Sequence, residues 1–148
     1  MRTKLRTKVA AAVVAIVLGG LLALFATTGP AVAFFSGGLF LDVQVESPAR
    51  LVARGAAVDV PLEVTCNAIG TASVNVSVTQ KAGSGVAQGF GFDNVGCTGS
   101  GQQVTIRVQA SGGKTFKQGP AVATAQIFGC NNTTCGSETD SATIDIKK

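Results

Sequence analysis

A chain of 148 residues with twelve Lys and Arg against eight Asp and Glu carries a net charge of +4, but four of the basic residues lie within the first eight positions. Past Ala33 eight basic residues face eight acidic ones, so the formal charge there is zero, and the basic patch that nucleic acid or an anionic membrane surface requires is missing. There is no His, Trp or Tyr, which excludes the Ser/His/Asp and Cys/His nucleophile arrangements.

The N-terminus reads as an export signal. "MRTKLRTK" is a basic run, residues 9–25 are apolar, "ATTGP" breaks the segment, and "AVA" presents small residues where a signal peptidase cleaves. Cleavage after Ala33 makes 1–33 a signal peptide and 34–148 a single exported domain, with the membrane met only during export. The alternative is an uncleaved anchor, for which the apolar run is at the short end. The expected location is extracellular, with the cell envelope included.

All four cysteines, Cys66, Cys97, Cys130 and Cys135, follow the signal. An even number in an oxidising compartment predicts two disulfides. Of the three pairings, Cys66 with Cys97 and Cys130 with Cys135 is favoured. Loop-closure entropy then gives the long bridge about 3.5–4 kcal/mol and the short one about 2 kcal/mol.

Period-two alternation organises the rest. In chain order the expected strands are "LFLDVQV" (39–45), "ARLVARG" (49–55), "VDVPLEVTC" (58–66), "ASVNVSVTQ" (72–80), "AQGFGFDNV" (87–95), "QVTIRVQ" (103–109), "VATAQIF" (122–128) and "SATIDIKK" (141–148). Val58, Val60, Leu62 and Val64 share one side of their strand, and Val74, Val76 and Val78 do the same in the next. The Gly-rich "KAGSG", "CTGSG" and "ASGGK" are turns. These features predict an all-β, immunoglobulin-like antiparallel β-sandwich of seven to eight strands, without the buried Trp of antibody domains.

Phe90 and Phe92 share parity with Val86, and the expectation is that they face the core. The competing reading makes Phe90, Phe92, Phe116 and Phe128 the lining of an apolar ligand cleft. Asp59 and Glu63 alternate with core valines and are expected on solvated surface. Asp42, Glu46, Asp93 and Asp140 could converge on calcium, but their spacing follows no ordered pattern, and no metal site is expected. Nucleotide and zinc-protease motifs are missing, so no cofactor is expected. The Trp and Tyr platforms usual in carbohydrate binding are missing too. Asn75, Asn131 and Asn132 match glycosylation acceptors, to which no function attaches. Phe34 and Phe35 in "FFSGGLFL" open the exported segment and are read as an edge strand or a self-association site.

"ARLVARGAAVDVPLEVTC", "VAQGFGF", "CTG", "VTIRVQA", "FKQGPAVATA" and the closing C-x4-C together resemble a group of small secreted actinobacterial proteins, across 49–146. The resemblance implies export and an immunoglobulin-like fold but no active site. The overall plan and the "CNNTTC" tail are also similar to neocarzinostatin-type apoproteins, in which a cleft binds an enediyne chromophore. In that family the first disulfide closes a much shorter loop.

The expected function is a non-enzymatic interaction or structural module whose partner is an unknown protein or envelope component. Its adaptable contacts would be the loops around Gly83, Gly112 and Asn131. A carrier of a small apolar ligand is the alternative, and an enzyme built on a cluster of perturbed carboxylates or lysines comes third.

Overall fold

The computed structural model describes residues 38–67 and 69–148, which lie within one compact unit, Phe35–Lys148. The expected signal peptide, its cleavage site, and Phe34 and Phe35 fall outside the described residues.

Eight strands follow one another: β1 Leu41–Val45, β2 Ala49–Val52, β3 Ala57–Cys66, β4 Thr71–Ala82, β5 Gly85–Gly96, β6 Gln102–Ala110, β7 Gly119–Cys130 and β8 Cys135–Lys147. Residues 53–55, read from the sequence as a continuation of β2, form a 3-10 turn instead, with Ala53, Arg54 and Gly55 all at positive φ.

Seven of these strands close a ring in the order β3-β2-β8-β7-β4-β5-β6, because β3 also pairs with β6; β1 is the eighth strand and pairs with β3. The ladders of the ring are very unequal. Twelve residue pairs join β4 to β5, twelve join β7 to β8, eight join β3 to β6 and seven join β4 to β7. Three pairs join β2 to β3, and two seams complete the ring with two pairs each. One is Gly89↔Ala110 and Phe90↔Gln109 between β5 and β6; the other is the parallel Ala49↔Ile146 and Arg50↔Lys147 between β2 and β8.

The alternation read from the sequence becomes burial. Val58, Val60, Leu62 and Val64 of β3, Val74, Val76 and Val78 of β4, and Ala123, Ala125 and Ile127 of β7 are fully buried, joined by Val108 of β6. Each buried Val or Ile contributes about 1.5–3 kcal/mol relative to exposure, so this interior is the main source of stability. Pro61 interrupts β3 without cost to a ladder. It lies between the stretch that pairs with β2 and the stretch that pairs with β1, and its carbonyl faces that edge, accepting from Glu46 N at 3.0 Å. Its ring nitrogen faces the same edge, where the partner strand is changing and no donor is needed.

Side chains tie β8 to β1 and to the turn between β1 and β2. Val45 N donates to Asp140 Oδ2 at 2.7 Å, and Asp145 N donates to Ser47 Oγ at 3.0 Å. The disulfides join Cys66 to Cys97 and Cys130 to Cys135. Cys66 is fully buried at the end of β3, whereas Cys130 and Cys135 are an exposed pair that closes the β7–β8 hairpin. Asn131 braces the same hairpin independently, its Oδ1 accepting from the backbone of Thr133 and Thr134 at 2.9 and 2.7 Å.

Asp59 corrects the sequence reading. It points away from the core as its parity requires, yet it is buried, because its register partners on both sides are arginines. Arg50 on β2 donates to Oδ2 at 2.9 Å, and Arg107 on β6 donates to Oδ1 and Oδ2 at 2.8 and 3.1 Å. Both guanidinium side chains stay largely exposed and roof the carboxylate. Its acidity is strengthened first by the Arg107 hydrogen bond, with burial opposing and Arg50 adding to the effect.

Candidate functional site

The inner face of β5 is made of small residues. Ala87, Gly89 and Gly91 point inward, so Phe90 and Phe92 point out, each 55 % exposed. This overturns the core reading of the two rings, and the cause is steric. A side chain at residue 89 would run into the backbone carbonyl of Gln109, and one at residue 91 into that of Arg107. Strand β6 passes too close for any inward side chain, and glycine is what permits the approach.

The space beside Gly89 is filled by Phe116, which is 2 % exposed and comes from the segment between β6 and β7. Two contacts hold that segment. Phe116 N donates to Gly55 O at 2.9 Å. The buried Gln80 exchanges two 2.8 Å hydrogen bonds with the backbone of Lys117. The four phenylalanines expected to line one cleft are therefore split. Phe116 belongs to the core; Phe90, Phe92 and Phe128 (47 % exposed) lie on the outer face of the β5-β4-β7-β8 sheet.

Register assembles this face into four rows across the sheet. They read Asn94–Ser73–Phe128–Ser137, Phe92–Asn75–Gln126–Thr139, Phe90–Ser77–Thr124–Ser141 and Gln88–Thr79–Val122–Thr143. None of these positions is charged, although eight acidic and eight basic residues follow Ala33. Lys81 and Asp145 lie one row beyond. The outer side of β2, β3 and β6 carries the Arg50–Asp59–Arg107 cluster instead.

A depression of about 260 Å³ occupies the middle of the uncharged face, lined by Asn75, Ser77, Phe90, Thr124, Gln126 and Thr139. A second, of about 520 Å³, continues towards the β4–β5 turn between Thr79, Val86 and Val122, with Lys81 and Gly83 on its border. Within the face, Thr124 bonds Ser141 at 2.9 Å and Ser73 bonds Asn94 at 3.0 Å. Asn75, Ser77, Gln126 and Thr139 make no side-chain hydrogen bond to any described residue, so their donors and acceptors are free beside the Phe90 ring. Gly112 borders a separate depression with Ala56, Ala110 and Lys114, and Asn131 lies at the tip of the β7–β8 hairpin.

Of the carboxylates considered for calcium, Asp140 is committed to Val45 N. Among the described residues no three of His, Cys, Asp and Glu come together. The sequence offered one signal for the outward rings, the repeat "GFGF", in which glycine takes the inward positions. The uncharged face could not be read, because it depends on β4 lying next to β7.

No protein-family model matches the chain, and no curated protein matches it. Among solved structures, the major subunit of aggregative adherence fimbriae type I from Escherichia coli aligns with 74 % of this chain and 94 % of its own, at 12 % identity and a TM-score of 0.39. At that level the likeness carries no inference about fold or function.

Proposed function

We propose that this protein is an exported, non-enzymatic docking module that meets an extracellular or cell-envelope partner through the outer face of β5-β4-β7-β8. One observation carries the reading: a four-strand face without charge, bearing three exposed phenylalanines among Ser, Thr, Asn and Gln. An ordinary solvated face has no use for exposed rings, and exposed apolar surface grouped on one side is characteristic of interaction sites. Two disulfides fit an oxidising compartment, in line with residues 1–33 acting as a signal peptide. The two-pair seams support reading the ring as a flattened, immunoglobulin-like sandwich, as the sequence resemblance implies. Enclosure of a small apolar ligand finds less support, since Phe116 fills the interior and the other candidate rings face out.

The test is sedimentation of the purified protein with the envelope fraction of the producing cell. Ser77→Arg, which plants a charge in the middle of the face, should lower retention at least tenfold. Thr105→Arg, at an exposed position of β6 outside the face, should leave it unchanged. Equal retention of both variants, or no retention of the parent protein, would overturn the reading.

A further inference from the structure

We infer that the partner met by this face is a neutral, hydroxyl-rich glycan chain laid along the strands, a reading that rests on the docking proposal above. Three observations converge on it. First, none of the face positions is charged, and of the residues around the two depressions only Lys81, at the end near the β4–β5 turn, carries a charge, so there is little to pair with a polyanion or a polycation, while a ligand without charge loses no ion hydration when it docks. Second, the central depression joins one ring, Phe90, to four unengaged polar side chains, Asn75, Ser77, Gln126 and Thr139. The π face of a phenyl ring is electron-rich and attracts the weakly positive C–H bonds on the flat side of a sugar ring. The amides and hydroxyls around it each offer a donor and an acceptor, as a ring of sugar hydroxyls demands.

Third, the shape suits a chain. The two depressions continue one another along the strand direction, Ser77 and Thr124 of the first standing one row from Thr79 and Val122 of the second, as a linear ligand requires. Missing Trp and Tyr had set carbohydrate aside at the level of sequence, but the structure supplies exposed phenylalanine rings.

The experiment uses the sedimentation assay with envelope treated beforehand in one of two ways. Periodate, quenched before the protein is added, cleaves the vicinal diols of glycans; proteinase K removes envelope proteins. Retention should fall at least tenfold after periodate, survive proteinase K, and stay level between low and high salt. Phe90→Ala should lower it at least tenfold, and neutral oligosaccharides released from the same envelope should shift the amide resonances of Asn75, Ser77 and Gln126. Loss with proteinase K but not periodate would overturn the glycan and leave the docking face standing with a protein partner. A steep fall with salt would overturn neutrality. Retention by the Ser77→Arg variant would instead remove the docking proposal itself.

Discussion

Phe116 occupies the room that Gly89 leaves on the inner side of β5: a Cβ on residue 89 would stand 3.0 Å from Phe116 Cε2. The pair explains how a strand carrying two phenylalanines contributes neither to the core. A loop residue supplies the interior bulk, and the strand's own rings are released to the surface.

Truncating the two kinds of ring should therefore cost very different amounts of stability. Phe116→Ala is expected to cost about 3–5 kcal/mol, the range for a buried aromatic. Phe90→Ala should cost under about 1 kcal/mol, as at other exposed positions. The chain has no Trp or Tyr, so urea unfolding followed by far-UV circular dichroism is the measurement. Equal losses would place Phe90 in the core and remove it from the face.

Adding a methyl group at residue 89 should strike the seam itself. Gly89→Ala directs a Cβ into the Gln109 carbonyl, where β5 and β6 share only two residue pairs. A loss of about 1–3 kcal/mol is expected, the usual cost of overpacking. Gly83→Ala serves as a comparison, since nothing lies within 4 Å of its Cβ position and only its φ of 63° is strained. If the two substitutions cost the same, contact with β6 is not the reason for glycine at 89.

The two disulfides should contribute unequally. Replacing Cys66 and Cys97 by Ala removes a buried bridge across 31 residues, for which loop-closure entropy gives about 3.5–4 kcal/mol. Replacing Cys130 and Cys135 removes a bridge across 5 residues, worth about 2 kcal/mol by the same reasoning, in a hairpin that Asn131 also braces. The melting temperature should fall further in the first variant, and the reverse order would contradict this account.

Asp59 sets the response to acid. Its folded carboxyl is more acidic than the ordinary value of 3.8, so its contribution to stability is present at neutral pH and is lost as pH falls below that value. Asp59→Asn should cost about 1–2 kcal/mol at pH 7, modest because both arginines stay in contact with water. It should also flatten the acid limb of the stability curve between about pH 5 and 2. An unchanged slope would assign the acid sensitivity to another group.

The strands were legible because alternation is strong wherever Val, Ile and Leu face Thr, Ser and Asn, as in 58–66 and 72–80. Three features were not. Asp59 has the parity of a surface residue, and only the arrival of Arg50 and Arg107 from two other strands buries it. Phe90 and Phe92 have the composition of a core strand, and only the closeness of β6 turns them outward. The uncharged face exists in no single segment, since it forms when β4 pairs with β7. In each case the deciding contact is between residues far apart in the chain, which local pattern cannot report.

The unequal ladders also bear on the order in which the molecule assembles. The β4–β5 hairpin turns through Gly83 and Ser84 alone, and β7–β8 turns at Cys130↔Cys135, whereas Val64 must find Gln102 before β3 and β6 can pair. Closing a short loop costs less entropy than closing a long one, so the two hairpins should gain protection from hydrogen exchange before β3 and β6 during refolding. The hairpins that carry Phe90 and Phe128 then form first, and the face is complete once Thr79 finds Val122 and β4 joins β7. A molecule whose narrow seams have briefly parted would still present it whole.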